Sequence, residues 1–248
     1  MATTEGSAPL LVDGEVLSRW FIDEASGGQV SEQLLDSVEP GLDLSVAVLG
    51  GYPQFVENLE GNRGLQWVVD GRVGWAESPT LDAGLIDELT HSTTLTIEMV
   101  FQFTQVTGGV VRLMSLGDGT TVDVGIAAHS TDAVELWWGD EPVAEIPVAG
   151  VIGARHVLHA VIDTAETGGA QVRGYLDGEL LAVSPTGMLA IGSGAPLGAA
   201  PRLSLGDAQG DGGRFRGRIY YLALYRNALD GDEVTNNVDA LLVSDDRP

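Results

Sequence analysis

The sequence predicts an all-β fold, a two-sheet antiparallel β-sandwich with one or two short peripheral helices, and three observations carry that expectation. Residues 94–104 alternate with the two-residue period of a strand: Leu95, Ile97, Met99, Phe101 and Phe103 fall on one face, Thr96, Glu98, Gln102 and Thr104 on the other, and only Val100 is out of step. The 34 glycines, many beside aspartate, punctuate the chain with turns at short intervals. Only two stretches, 81–89 and 230–242, carry a helical pattern, too few for a sheet built on crossover helices. The 248 residues, 44% of them hydrophobic, suit one sandwich around one core.

In chain order, residues 1–13 are small, polar and proline-containing and read as a flexible arm, 14–243 as the domain and 244–248 as a tail. Runs rich in β-branched and aromatic residues between glycine and aspartate turns predict strands at 16–22, 44–49 and 65–69, then at 94–104, 110–116, 121–128 and 133–138. Further strands are expected at 156–163, 171–176, 179–183, 202–205 and 216–225. Asp177-Gly178, between Tyr175-Leu176 and Leu180-Leu181, has the composition of a type I′ hairpin turn. In the second helical stretch Asp230 and Glu233 have capping-box spacing, and Val234, Val238 and Leu241 form an apolar stripe. The inward-facing set is expected to be Leu95, Ile97, Met99, Phe101 and Phe103 on one strand and Ile219, Tyr221, Ala223 and Tyr225 on another.

Thirty-six acidic residues against 12 basic ones give a net charge of −24, a field that repels nucleic acid and anionic lipid. All the basic residues are arginine. With no cysteine there is no disulfide, thiolate metal site or thiol nucleophile. No apolar run approaches the ~18 residues of a membrane span, so no membrane insertion is expected, and the opening residues lack the basic and apolar regions of a signal peptide.

Three stretches, read together, resemble the laminin-G-like, concanavalin A-like jelly-roll superfamily. Trp20-Phe21-Ile22-Asp23-Glu24-Ala25-Ser26-Gly27-Gly28 is similar to the opening strand of bacterial members, and Asp36 follows at the start of an Asp-x-x-x-x-Gly turn ending at Gly41. Leu95-Thr96-Ile97-Glu98 resembles the family's long central strand, and Gly217-Arg218-Ile219-Tyr220-Tyr221-Leu222-Ala223-Leu224-Tyr225, followed by a helix, resembles its closing one. The resemblance implies jelly-roll connectivity, pairing of the 16–22 strand with the 216–225 strand, and an extracellular, cell-surface or periplasmic setting. It implies little about activity, because the scaffold carries lectins, adhesion domains and glycosidases alike. Where many bacterial members have a Ser-Gly-Asn-Gly-Asn turn, this chain has Ser37-Val38-Glu39-Pro40-Gly41-Leu42-Asp43, a departure that bears on any calcium site at Asp36.

Catalytic patterns are missing from the sequence. A glycosidase needs two carboxylates facing one sugar bond, and the Glu-x-Asp-x-x-Glu run of jelly-roll endoglucanases does not occur; Asp163 and Glu166 read as turn carboxylates. A lyase needs a histidine with a tyrosine and an arginine. His156 and His159 point to opposite faces of a strand, and with His91 and His129 they read as ordinary surface or half-buried imidazoles. Ile191-Gly192-Ser193-Gly194 is not a nucleophile elbow.

Calcium is the cofactor the sequence encourages, since it takes oxygen ligands from flexible acidic loops. Asp207 with Asp211, and Asp36 with Asp43 beside Glu39, are the candidate metal ligands. For a sugar the useful groups are aromatic faces and planar polar side chains. Trp137 and Trp138, adjacent in a strand and therefore facing opposite ways, Trp75 and Tyr52 in turn-rich stretches, and Arg112 are the candidate ligand-binding residues. The expected function is a non-catalytic module binding a carbohydrate or a protein partner, calcium-assisted, with a polysaccharide-cleaving enzyme and a passive structural domain as alternatives.

Overall fold

A computed structural model of the protein describes residues 11–25, 32–49, 52–67, 74–107, 110–118, 123–128, 133–139, 141–148, 153–184, 187–206 and 214–245, without the side chains of 105, 107, 214 and 215. In chain order these form β1 (Val16–Phe21), β2 (Gln33–Leu34), β3 (Leu44–Ala47), β4 (Gln54–Glu57), β5 (Arg63–Trp67), β6 (Trp75–Glu77), α1 (Ala83–His91) and β7 (Thr94–Thr107). There follow β8 (Val111–Gly117), β9 (Val124–Ala128), β10 (Ala133–Trp138), β11 (Glu141–Pro147), β12 (His156–Asp163), β13 (Val172–Leu176), β14 (Glu179–Ser184), β15 (Arg202–Leu205), β16 (Arg214–Tyr225) and α2 (Gly231–Val243).

The strands make two antiparallel sheets packed face to face, the all-β sandwich the alternation predicts. The first runs β14-β13-β12-β7-β16-β5-β4, with β1 paired to β16 beside β5, and the second runs β11-β10-β9-β8-β15-β6-β3-β2. The expected pairing of the N-terminal and C-terminal strands is present, in register from Val16↔Tyr225 to Phe21↔Tyr221. Asp177 and Gly178 both have positive φ, the conformation a type I′ turn demands.

The core lies between the sheets. Leu95, Ile97, Met99, Phe101 and Phe103 all point into it as the alternation predicts, against Leu158, Ala160 and Ile162 of β12 and the inner faces of β8 and β9. Trp20 and Trp67 are wholly buried, and each indole N–H finds a loop carbonyl, Leu42 O at 2.9 Å and Gly74 O at 2.7 Å. The core therefore fixes the positions of the loops on the second sheet.

On β16 the expected inward set needs correction. Ile219 is in the inter-sheet core, but Tyr221, Ala223 and Tyr225 belong to a separate cluster on the opposite face, and Leu222 and Leu224 take the inward places. The cause is a bulge. Ile219 pairs with Phe101 and Tyr221 with the next residue along β7, Val100, so Tyr220 is an extra residue that reverses every later side chain. Gly64 on β5 makes room for it: a Cβ there would lie 2.7 Å from Ile219 O and 2.8 Å from the Tyr220 ring.

The outer face of the first sheet is covered as well. Val234, Val238 and Leu241 of α2 close over Val100, Val157, Val161, Tyr221 and Tyr225, so the predicted apolar stripe finds its partner here. The capping box at Asp230 and Glu233 is formed, and α1 begins after an Asp82 cap, two residues beyond its expected start. Residues 11–13, read from sequence as part of a flexible arm, are tied in: Val12 N donates to Asn237 Oδ1 at 2.8 Å, and Asp13 pairs with Arg19. In the expected tail, Asp245 is buried and paired with Arg155 at 2.6 Å. Sequence patterning does not reveal β2, β4, β6 and β11, of which the first three span two to four residues each.

Phe101 is wholly buried, with its ring 4.6 Å from that of Phe103. Replacing Phe101 with Ala is expected to cost about 3–5 kcal/mol, read as a lower urea midpoint at unchanged m-value.

Candidate functional site

Alternation on the second sheet sends Leu34, Leu44, Ala76, Leu116, Val124, Ile126, Val134, Leu136, Leu203 and Leu205 into the core, so the residues between them line the outer face. Strand register joins some of these into one continuous row, Trp137–Gly125–Ser115–Ser204–Glu77–Ser45–Gln33, crossing from β10 to β2. A parallel row sets Glu135 beside Ala127 and Ala127 beside Arg112. The middle is small and sunken, with Ala127, Ser115 and Ser204 at most 4% exposed. Larger side chains flank it on both sides. The result is a row of glycine, alanine and serine with an indole near each end, hollowed into a trough where Gln33, Ser45, Trp75 and Glu77 line a cavity.

At one end the Trp137 Nε1–H donates to Glu135 Oε2 at 3.1 Å, and the Arg112 guanidinium carbon lies 5.3 Å from the Trp137 ring centroid. The stacked cation and the carboxylate hold the half-buried indole in one orientation. At the other end Trp75 stands over a hollow of about 520 Å³ with Gln33, Asp43, Ser45 and Glu77. Trp75 lies on β6 and not in a turn, which corrects the expectation from sequence. Its position depends on Gly74, where a Cβ would fall 2.0 Å from Ala47 O and 2.3 Å from Tyr52 O.

Of the five residues singled out for ligand binding, Arg112 and Trp137 therefore touch, and Trp75 shares their face. Tyr52 forms a backbone bridge with Leu49 next to Gly74, outside the row. Trp138 points to the other face as expected from its adjacency to Trp137, packs against the core, and edges a separate hollow with Pro142 and Met188.

Asp207 and Asp211 lie outside the described residues. Asp36 is described, and its carboxylate acts as a staple: Oδ1 accepts from Arg19 N and Val38 N, both at 2.9 Å, and Oδ2 accepts from Leu42 N at 2.9 Å. Asp43 Oδ1 accepts from Asp36 N at 3.0 Å. Glu39 is exposed beside them. Among the described residues no three His, Asp or Glu side chains are placed to hold a metal ion, and no helix is long and apolar enough to cross a membrane.

Sequence reasoning misses a polar cluster in the second core, beneath α2. Glu98, His159, Tyr221 and Tyr225 are wholly buried. His159 Nε2–H donates to Glu98 Oε1 at 2.6 Å, and the Tyr221 and Tyr225 hydroxyls donate to Oε2 at 2.9 and 2.8 Å. Asn237 of α2 donates to the Tyr225 oxygen at 3.1 Å, and Arg19 reaches the same oxygen at 3.3 Å. Burial alone would push the Glu98 carboxyl up, but His159 and the hydrogen bonds from its neighbours outweigh it and hold the group below its usual value. Burial and the Glu98 carboxylate drive both phenols well above theirs, so they stay protonated donors. The expectation of ordinary surface or half-buried histidines thus fails for His159. It holds for His91, exposed and paired with Asp87, and for His156, paired with Asp177 at 2.6 Å; His129 lies outside the described residues. A carboxylate, a histidine, tyrosines and an arginine converge as in an acid–base site, yet the helix seals the carboxylate, the imidazole and both phenols from solvent.

No protein-family model matches the chain, and no curated protein matches it. Solved structures do, and at these identities they establish the fold alone. A Trypanosoma rangeli sialidase, solved with a difluorinated nononic acid, aligns at 15% identity and a TM-score of 0.64, over 94% of this chain and 34% of its own. The binding domain of botulinum neurotoxin DC, in complex with SialylT, aligns at 11% identity and 0.60, over 92% and 52%. A botulinum neurotoxin type C structure concerned with two ganglioside molecules aligns at 11% and 0.60, over 90% and 50%. The chain spans about a third to a half of these proteins.

Replacing Glu98 with Gln is expected to cost about 3–5 kcal/mol, because it removes one partner of a buried pair and strands the other. The native carboxyl lies below its ordinary value of 4.5, so its contribution is complete above that pH and is lost as pH falls further. The stability gap between wild type and variant should therefore narrow on acidification below about pH 4.5, measured by urea denaturation across pH.

Proposed function

We propose that the chain is a non-catalytic glycan-recognition module of the laminin-G-like, concanavalin A-like kind, and that the trough on the second sheet is its binding face. The observation that carries this reading is the register row from Trp137 to Gln33. The small residues of the row raise no side chain between its ends, and an indole at each end offers a face to a pyranose. Gln33 and Glu77 beside the Trp75 hollow supply planar hydrogen-bonding groups, with Arg112 at the Trp137 end. The matched structures include a sialidase with a nononic acid and toxin binding domains with sialylated, ganglioside and protein ligands, the last being rat synaptotagmin II, and they support a binding role for the fold. The aromatic faces of the row are what turn the proposal toward a carbohydrate. Such a module works outside the cytoplasm, at a cell surface, in the periplasm or in extracellular fluid.

The polysaccharide-cleaving alternative requires its acid, base and substrate to meet. The carboxylate, histidine and tyrosines that would suit that chemistry lie where no sugar reaches them. This favours binding over cleavage.

A glycan array followed by titration calorimetry tests the reading. Trp137→Ala and Trp75→Ala should each weaken binding of the selected oligosaccharide about tenfold or more, equivalent to about 1.4 kcal/mol, while the far-ultraviolet spectrum and melting temperature stay near those of wild type. Binding unaffected by both substitutions would move the site elsewhere.

Calcium assistance is a further part of the proposal, assigned to Asp207 and Asp211 because the Asp36 oxygens already accept backbone amides. With calcium at about 100 times its Kd, linkage predicts about 2.7 kcal/mol of added stability. The melting temperature should rise more with calcium than with magnesium at matched ionic strength, since magnesium demands a stricter octahedron. Equal shifts would remove calcium from the proposal.

A further inference from the structure

On the outer face of the first sheet, away from the trough, Arg218 forms no ion pair with a carboxylate of the described residues. The chain has three times as many carboxylates as cations, and Arg19, Arg63, Arg155, Arg202 and Arg226 each pair with one. Arg218 does not: among the described residues its hydrogen-bond partners are neutral. Its Nε–H donates to Gln66 Oε1 at 2.7 Å and its Nη1–H to the Tyr220 hydroxyl oxygen at 3.4 Å. Register explains the arrangement, because Gln66, Arg218 and Gln102 lie side by side on β5, β16 and β7. The bulged Tyr220 adds a hydroxyl that donates to Gln102 Oε1 at 2.8 Å, and Gln102 in turn donates to Gly153 O. The guanidinium is thus held from one side by a wholly neutral network, while its Nη2 carries no hydrogen bond to the described residues.

This arginine opens into a hollow of about 780 Å³, bounded by Glu57, Asn58 and Glu60 at the β4–β5 turn, by Gln102, and by Arg155. Arg155 is largely buried and its charge is paired with Asp245 at 2.6 Å, with the carbonyls of Leu241 and Leu242 accepting two further N–H groups. The hollow accordingly offers one cation able to grip a carboxylate through two parallel N–H groups. Two carboxylates, Glu57 and Glu60, line it as hydrogen-bond acceptors, whereas the Asn58 Oδ1 is taken by the Glu60 and Asn62 amides at 2.9 Å each. A polyanion would be repelled by Glu57, Glu60 and the −24 field. A neutral sugar would leave Arg218 unmatched. The complementary ligand carries a single carboxylate together with several hydroxyl donors.

We propose that this hollow is a second binding site, specific for a carboxylate-bearing sugar residue, with Arg218 receiving the carboxylate and Glu57 and Glu60 receiving ring or side-chain hydroxyls. It lies on the opposite sheet from the trough, so either site can fail alone.

Titration calorimetry with monosaccharide glycosides tests it, using methyl β-glucuronide and methyl α-N-acetylneuraminide as the acidic probes. Methyl β-glucoside is the neutral control and acetate the bare anion. Wild type should bind one of the acidic glycosides at least about tenfold more tightly than the glucoside or acetate, and the preferred one identifies the sugar class. Arg218→Gln should abolish that preference, Arg218→Lys should retain part of it, because the charge stays and the fork is lost, and Trp137→Ala should leave it intact. Equal affinity for acidic and neutral glycosides, acetate binding as tightly as either acidic glycoside, or an Arg218→Gln protein that binds like wild type would each overturn the proposal. Thermal melting checks that the variants fold. If Arg218→Gln does not fold, Arg218→Lys takes its place: weakened binding of the acidic glycoside supports the proposal, and unchanged binding overturns it.

Discussion

The pairing of β7 with β16 organises this molecule, and the single residue inserted into it decides what each face of the first sheet does. Before the bulge, β16 turns Ile219 toward the second sheet; after it, Tyr221, Ala223 and Tyr225 turn away. A strand with the sequence Ile-Tyr-Tyr-Leu-Ala-Leu-Tyr has apolar residues in both phases, so neither phase alone could be left in water. The bulge lets one strand serve two cores, and α2 is the element that closes the second. Tyr220, the inserted residue, is itself buried and holds the row in which Arg218 sits.

The second core is an unusual place for a carboxylate hydrogen-bonded to an imidazole. Removing Glu98 and His159 from water is expensive, and an apolar pair of similar volume would often do as well for stability alone. Apolar contacts lack direction, however, whereas the hydrogen bonds here fix specific atoms. Asn237 bonds at once to Tyr225 on β16 and to Val12 before β1, so helix, sheet and N-terminal segment meet in one register. Arg19 adds Asp13, the Val12 carbonyl and the Tyr225 hydroxyl to the same junction. Among the described residues the buried His159 Nδ1 has no hydrogen-bond partner, a local cost that the surrounding packing sustains.

The sandwich is legible in the sequence because its long strands alternate cleanly: the 94–104 pattern places five core side chains correctly, and Asp177-Gly178 marks its turn by composition. Short strands such as Gln33–Leu34 and Trp75–Glu77 offer too few residues for a period to show. A bulge cannot be read from alternation at all, since it is a break in alternation, and that is why the pattern puts Tyr221, Ala223 and Tyr225 on the wrong face. Glu98 and His159 look solvent-facing for a related reason. Their strands alternate, and alternation says which residues share a face, not what covers it. The signal that a cover exists is the apolar stripe of 230–242, which requires a sheet to lie on. In the trough, Trp137 and Arg112 are recognisable singly as residue types that meet sugars, but their stacking depends on the cross-strand alignment of β8, β9 and β10, which only the fold supplies.

The junction at the start of β1 also has a mechanical meaning. Val16, the first residue of β1, pairs with Tyr225, the last of β16, so tension pulling the segment before β1 away from α2 would load the ladder one rung at a time, as a zipper opens. Strands loaded this way part at lower force than strands sheared along their length. Here the zipper's mouth is fastened: Arg226 grips Glu15 through both backbone and side chain, and Val12 is bonded to α2. A tether drawn from either side would have to break these few polar contacts before the first rung moved, so the resistance of the whole domain to stretching is concentrated at its seam.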